Sequence, residues 1–147
     1  MPIKTFRGLM TTDAGGDSTD VIVLHTNDGS IGYQIKKLQI IPKDPTDVTT
    51  EAVFQIFSIP TDSTDEIDFS DQTLLGCAYW SNHLSGTLYA EDMIVIFDNM
   101  TFNQDIYLTC KSDSGGKAMN YYIELEQMKL DLNENTVATL KDIRNVA

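Results

Sequence analysis

The stretch that decides the fold is SIGYQIKKLQII, residues 30–41. Its first half places three apolar side chains on one parity: Ile31, Tyr33 and Ile35. Its second half places two on the other parity: Leu38 and Ile40. Because successive side chains of a strand point to opposite faces, this change predicts a β-bulge or bend near Lys36 and Lys37, or a strand that crosses between two sheets.

The same change of parity recurs in NYYIELEQMKL, residues 120–130. An apolar set of one parity is followed there by a set of the other: Tyr121, Ile123 and Leu125, then Met128 and Leu130. Long strands that change parity are typical of the corners of β-sandwiches and jelly rolls. These two stretches therefore favour a sandwich whose sheets meet at corners.

Shorter apolar runs, bounded by Asp, Asn, Gly, Ser, Thr and Pro, predict further strands at residues 4–10, 21–26, 52–59, 73–80, 93–97 and 105–111. Residues 11–20 are predicted to form a loop. The tripeptide Asn27-Asp28-Gly29 predicts a hairpin turn, because these residues tolerate the positive φ of tight primed turns. No long helical pattern alternates with the strands. We therefore predict an all-β fold, an antiparallel β-sandwich of jelly-roll type.

The last fifteen or so residues have a different pattern. Apolar side chains recur there at helical spacing, with basic residues near the end: Val137, Leu140 and Ile143, then Lys141 and Arg144. Asn133 and Asn135 are candidate N-caps. A helix this short is marginal alone in water, so it would dock on its own domain or on a neighbouring subunit. We predict a sandwich domain over residues 1–132 and a C-terminal helix or docking arm over residues 133–147.

Charge and length exclude several classes of partner. The 147 residues fit one core, and their net charge of -12 repels phosphate backbones and anionic membrane surfaces. The basic residues are scattered along the sequence, so we predict no nucleic-acid partner and no membrane partner. Residues 1–7 contain no continuous apolar segment, which predicts a protein made and used without Sec export.

Both cysteines, Cys77 and Cys110, lie in apolar strand-like runs. A protein kept in a reducing cytoplasm would hold two free thiols, and free cysteine is commonly buried. We therefore predict two buried thiols; a disulfide between them is the alternative. Neither cysteine belongs to a C-x-x-C or a zinc-binding pattern.

Motifs that would carry catalysis are incomplete. The run VLHTND, residues 23–28, is similar to the opening signature of metallophosphoesterases, but Ser30 occupies the position of the second ligand. Residues 62–71 and the loop acids Asp13, Asp17 and Asp20 have oxygen ligands for Ca²⁺ without an EF-hand pattern, and calcium binding stays open. No nucleophile elbow or phosphate loop is present. We predict a protein that is not an enzyme, with no catalytic residues, no cofactor and no assigned metal site.

Two acids of one strand, Glu124 and Glu126, share a face because they are two residues apart. Glycosidases need two carboxylates across a cleft, so this pair predicts a polar outward face instead. Aromatic residues offer a binding hypothesis: Tyr79, Trp80 and Tyr89 bracket a loop that holds His83. Aromatic rings that stack on sugar faces, with amide side chains nearby, are typical of carbohydrate-binding sandwiches. The alternative is that Tyr79 and Trp80 belong to the preceding strand and lie in the core and at its rim.

Four segments, which together run along most of the chain, carry a resemblance to a known group: GYQI to IP at residues 32–42, FSDQTLL at 69–75, FDNMTFNQDIY at 97–107, and NYYIELE to ATLKDIR at 120–144. They resemble small, mostly unassigned virion-type proteins encoded by marine tailed bacteriophages. The shared segments carry no catalytic motif. The resemblance implies a virion protein that is assembled in the host bacterial cytoplasm.

The sequence thus predicts a non-enzymatic virion structural protein, a capsid decoration or cement subunit that stabilises the head. Its expected partners are the major capsid protein or other virion proteins, and it is expected to be a homo-oligomer. The predicted docking residues are Ile3, Phe6, Val137, Leu140, Ile143 and Arg144. The alternative function is a receptor- or glycan-binding module of a tail or head fibre, for which the candidate residues are Tyr79, Trp80, His83 and Tyr89.

Overall fold

A computed structural model describes residues 2–26, 29–46, 50–81, 91–97, 100–113 and 115–131. Every regular element among them is a strand: β1 Ile3–Thr11, β2 Asp17–Ile22, β3 Ile31–Pro42, β4 Glu51–Phe57, β5 Leu74–Ser81, β6 Glu91–Ile96, β7 Ile106–Ser112 and β8 Ala118–Lys129. They form two antiparallel sheets, with the orders β1-β8-β3 and β2-β7-β4-β5-β6. In this part of the chain, no helix is long and apolar enough to cross a membrane.

The strand order is that of a jelly roll, as predicted. The first strand pairs with the eighth, the second with the seventh, and the fourth with the fifth, so the chain pairs from its ends inward. The remaining strands differ from a fully symmetric roll, because β6 contacts β3 but forms its ladder with β5. The predicted C-terminal helix or arm, residues 133–147, lies outside the described residues and stays a prediction.

The parity change in β3 is confirmed as a β-bulge. Ile35 pairs with Leu125 and Lys37 pairs with Glu124, so Lys36 is the extra residue of this strand. The bulge keeps the apolar side chains on both sides of it in one core: Tyr33, Ile35, Leu38 and Ile40. The parity change in residues 120–130 has no bulge of its own in β8, because β8 keeps an unbroken register with β1 and shifts against β3 only at the Lys36 bulge.

The second strand begins earlier than predicted. The loop predicted at residues 11–20 contains four of the six residues of β2, because the chain reverses tightly between Asp13 and Gly16. The Asp13 Oδ1 atom accepts hydrogen bonds from the backbone N–H groups of Gly15, at 2.8 Å, and Asp17, at 3.0 Å. Gly16 completes the reversal with a φ of 84°. The predicted strand at residues 21–26 is therefore wrong beyond Ile22.

The hairpin predicted at Asn27-Asp28-Gly29 is also wrong. β2 pairs with β7 in one sheet, and β3 pairs with β8 in the other, so the connection crosses between sheets. Gly29 does take the expected positive φ, at 66°. Asp105 Oδ1 holds the chain before this crossing, since it accepts hydrogen bonds from the N–H groups of Leu24 and His25. Gly29 therefore has the backbone conformation that the sequence predicts, whereas distant strands determine the partners of β2 and β3.

The core lies between the two sheets, and β4 is buried on both of its faces. Phe54 and Ile56 point into the core, while Val53, Gln55 and Phe57 point to the outer side. The outer side is covered by residues 58–73, the acidic loop, which connects β4 to β5. Gln55 Nε2 donates to the backbone oxygen of Glu66 at 3.0 Å, which ties the loop to the sheet. The sandwich therefore has one covered outer side.

Both cysteines are buried free thiols, as predicted. Gln55 pairs with Cys77 on the outer side of the five-stranded sheet, while Phe54 pairs with Cys110 on its core side. Burial raises the pKa of both thiols, that of Cys110 to about 12. Because thiolate is the reactive form, both side chains are inert near neutral pH.

We expect a thiol reagent to label neither cysteine in the folded protein at pH 7–8 and to label both in guanidinium chloride. The reason is that labelling needs exposure of the sulfur and loss of its proton, and the fold opposes both. The rate of labelling is measured from the absorbance of the coloured group that the reagent releases when it reacts. Rapid labelling of Cys110 before unfolding would contradict its position in the core.

Candidate interaction surface

The outward side of the three-stranded sheet, called here the outer face, is formed by alternate residues of β1, β8 and β3. The register aligns them in rows across the sheet: Leu9, Asn120 and Ile41; Arg7, Tyr122 and Gln39; Thr5, Glu124 and Lys37; Ile3, Glu126 and Gln34. Among the described residues, nothing comparable to the acidic loop lies over this face.

The first two rows form an open groove of about 720 Å³. Its apolar side chains are Leu9, 44% exposed, and Ile41, 49% exposed, on either side of Asn120. Arg7 and Gln39 flank Tyr122 in the neighbouring row. Apolar, aromatic and arginine side chains in one patch, with few acids, are the composition of protein interfaces. The groove can therefore bind a surface that offers apolar and anionic groups.

The floor of the groove depends on a close approach of β1 to β8. The Tyr121 ring lies beneath Gly8, and a Cβ atom at that glycine would come within 2.7 Å of the tyrosine oxygen. The Tyr121 hydroxyl donates to Oδ2 of Asp20 in β2, at 3.5 Å. Burial, and then the nearby Asp20 carboxylate, raise the pKa of Tyr121. A side chain at position 8 would displace this ring and reshape the groove.

The other half of the outer face is a network of paired charges. Tyr122 donates its hydroxyl proton to Glu124 at 2.9 Å, and this hydrogen bond raises the pKa of the tyrosine. Lys37 lies 6.0 Å from the centroid of the same ring. Lys36 Nζ lies 3.5 Å from Glu126 Oε2. The two glutamates thus form the polar outward face that their spacing predicts, and their partners are neighbours on the same sheet.

The acids of the loops shape the backbone. Asp68 Oδ1 accepts hydrogen bonds from both the N–H and the hydroxyl of Ser70, at 2.9 and 2.6 Å. Asp71 binds Thr73 in the same way, at 2.8 and 2.6 Å. Such Asx turns replace backbone turns. No three His, Cys, Asp or Glu side chains of the described ranges come together in a group that could hold a metal ion.

The histidine of the phosphoesterase-like run has a structural partner. His25 Nδ1 lies 2.7 Å from Asp105 Oδ1, the oxygen that also accepts the two backbone N–H groups of residues 24 and 25. Burial would raise the pKa of Asp105, but the hydrogen bonds from His25 and the backbone outweigh it and lower that pKa. The residue pair anchors the crossing between the two sheets.

Replacing Asp105 with asparagine should lower the free energy of unfolding at pH 7 by about 1–3 kcal/mol, because a charged acceptor of several hydrogen bonds is lost. A carboxylate with a lowered pKa in the fold stabilises it above its unfolded pKa of about 3.9, and loses that effect as pH falls through the folded pKa. The difference in the free energy of unfolding between wild type and variant should therefore become smaller below about pH 4. Urea unfolding at several pH values measures it, with Asp62→Asn as the control; a gap that widens in acid would contradict the assignment.

The predicted docking residues of the N-terminus lie in β1. Ile3 is exposed on the outer face, whereas Phe6 has the opposite parity and packs partly buried against the core. Phe6 therefore fixes β1 to the sandwich and Ile3 is available for contact. The four C-terminal residues of the docking prediction, Val137, Leu140, Ile143 and Arg144, lie outside the described residues.

The aromatic residues of the glycan-binding prediction do not share a surface where they are described. Tyr79 points to the outer side of the five-stranded sheet and donates its hydroxyl to Glu51. Trp80 has the opposite parity and packs against the core, and its Nε1 atom is buried without a hydrogen-bond partner in the described structure. His83 and Tyr89 lie outside the described residues, so their part of the hypothesis stays a prediction.

The groove residues were missed from the sequence. Leu9, Ile41 and Asn120 come from three strands whose adjacency follows only from the jelly-roll register. The sequence does contain one signal. Ile40 and Ile41 are adjacent, so Ile41 falls at an outward position of the strand, where an apolar side chain indicates exposed apolar surface.

Comparisons with known proteins give structural similarity alone. No protein-family model and no curated protein matches the chain. Among solved structures, it is similar to the VP1 protein of Trichodysplasia spinulosa-associated polyomavirus in complex with 3'-sialyllactose, at 9% identity and a TM-score of 0.45, over 85% of this chain and 93% of that chain. It is also similar to the VP1 pentamer of Human Polyomavirus 6, at 7% identity and a TM-score of 0.43, over 88% and 95% of the two chains.

Proposed function

We propose that this chain is a non-enzymatic virion structural protein, a decoration or cement subunit that binds the outside of a tailed bacteriophage head and stabilises its lattice. The observation that carries the proposal is the uncovered outer face beside the free edge of β1. Binding of this kind needs a rigid scaffold and a complementary surface of sufficient area, and it needs no reacting group.

The free edge of β1 supports the proposal. Within the described residues, β1 forms a ladder only with β8, so its other edge offers unpaired N–H and C=O groups over Ile3–Thr11. An unpaired edge is a template for another chain. Lys4 and Arg7 on this edge discourage indiscriminate pairing and favour an acidic partner.

The start of β1 and the end of β8 lie together at one end of the sheet. Gln127 donates its backbone N–H to the oxygen of Pro2 at 2.9 Å, and Ile3 pairs with Glu126. β8 ends at Lys129, close to this position. A partner that binds this end of the sheet would lie near the point from which the predicted C-terminal arm continues.

Deleting residues 133–147 should abolish binding to capsids while the sandwich stays folded, because the eight strands of the two described sheets all lie before residue 130. Co-sedimentation with capsids that lack the protein measures binding, and thermal unfolding monitors the fold. Val23→Ser, at a side chain that is 65% exposed and distant from the outer face, is the matched control. Unchanged binding after the deletion would contradict docking by this segment.

A further inference from the structure

We propose that copies of this chain associate head to tail, with the acidic loop of one copy seated in the groove of the next. The two surfaces lie on opposite sides of the sandwich: the groove is on the outer face of the three-stranded sheet, and the acidic loop covers the five-stranded sheet. They differ in charge, and neither is covered by the other within the described part of one copy.

The loop presents apolar side chains among acids. Its central sequence is DEIDF, residues 65–69, in which Ile67 is 38% and Phe69 is 57% exposed. These two exposed side chains, called here the apolar patch, are two residues apart in the sequence and are flanked by the carboxylates of Asp65, Glu66 and Asp68. The patch is suited to a groove with apolar walls and a cation.

The loop is held in position before any contact. The Phe69 ring packs edge-on against Phe97, with 5.2 Å between the centroids. The turn at Asp68 and the hydrogen bond from Gln55 to the backbone of Glu66 fix the chain on either side of the patch. A surface ordered in advance loses little conformational entropy when it binds.

The groove offers the complementary chemistry. Its apolar walls are Leu9 and Ile41, and Arg7 forms no ion pair with any described residue. The three strands of this sheet carry more bases than acids: Lys4, Arg7, Lys36, Lys37 and Lys129 against Glu124 and Glu126. This balance is opposite in sign to that of the whole chain, whose net charge is -12. A second copy offers the acidic, apolar surface that this groove fits.

Because the contact joins different surfaces of identical chains, it is heterologous. Each added copy leaves one groove and one loop free at the two ends, so association continues until a ring closes or a filament forms. The inference concerns self-association and goes beyond the proposed capsid binding. The groove is part of the outer face on which that proposal also rests, so the test below uses the purified protein without capsids and can fail or succeed separately.

The test uses two variants of the full chain. The groove variant carries Arg7→Glu and Ile41→Glu, and the loop variant carries Phe69→Ser and Asp65→Lys; all four side chains are exposed, so both variants should fold. Circular dichroism and thermal unfolding check the folds, and Ile41→Ser alone provides a milder groove change. Val23→Ser and Met93→Ser are controls, since they remove equally exposed apolar side chains elsewhere. Sedimentation velocity at an ionic strength of about 0.15 M, where the Debye length is about 8 Å, measures association.

We expect the wild type and both controls to associate with increasing concentration, and each variant alone to associate about thirtyfold more weakly or worse. A mixture of the two variants should form a dimer and stop there, because one supplies the intact loop and the other the intact groove. A wild type that stays monomeric, variants that still associate alone, or a mixture that forms no dimer would each overturn the proposal.

Discussion

Replacing Phe54 with alanine should lower the free energy of unfolding by about 3–5 kcal/mol. The side chain is 0% exposed and lies at the centre of the core, with its ring 5.7 Å from that of Tyr121 on the opposite sheet. Its removal leaves a cavity between the two sheets that close-packed neighbours fill only in part. Urea unfolding followed by tryptophan fluorescence measures the loss.

Phe69→Ala is the matched control for this change. The same atoms are removed, but from a side chain that is 57% exposed and contacts one other ring. We expect a loss of about 1 kcal/mol or less, the value of one partly exposed aromatic pair. Equal losses at the two positions would mean that the core does not lie between the sheets as described.

Replacing Gly16 with alanine should destabilise the fold by about 3 kcal/mol. Its φ of 84° costs a side chain about 1–2 kcal/mol. In addition, a Cβ atom would lie 2.4 Å from the backbone oxygen of Ser112, a residue whose N–H donates to Gly16. Backbone cannot move aside as a flexible side chain can, so the turn before β2 would have to open.

Gly116→Ala separates the two causes. Its φ is 79°, but a Cβ atom there would meet no atom within 4 Å. The variant should therefore lose only the conformational part, about 1–2 kcal/mol. Thermal or urea unfolding of both variants gives the difference. Equal losses of unfolding free energy in the two variants would show that the contact with Ser112 does not contribute to the effect at Gly16.

The strands were predictable from the sequence, because period-2 patterns record which side chains face the core. The bulge at Lys36 is an example: the change of parity after Ile35 is visible without any structure. The pairing of β2 was not predictable in the same way. A Gly29 turn is compatible with a hairpin and with a crossing between sheets, and the choice depends on β7, which is far along the chain.

The candidate surface could be predicted only in part. Ile3 is one of the docking residues predicted at the N-terminus, and it does lie exposed on the outer face. The groove requires Leu9, Asn120 and Ile41 to lie in one row, which depends on the register of three strands. The excess of basic residues in the three-stranded sheet could not be predicted for the same reason. Bases that are scattered along the sequence, such as Arg7 and Lys37, come together only when β1 and β3 flank β8.

A capsid decoration or cement subunit, as proposed above, is present in many copies on the particle. The most direct test is its copy number in purified particles of the encoding bacteriophage, measured by quantitative mass spectrometry against the major capsid protein. We expect a ratio near one, or one copy for every few capsid subunits, because a decoration subunit binds a repeating lattice. Absence from the particle, or only a handful of copies, would contradict it.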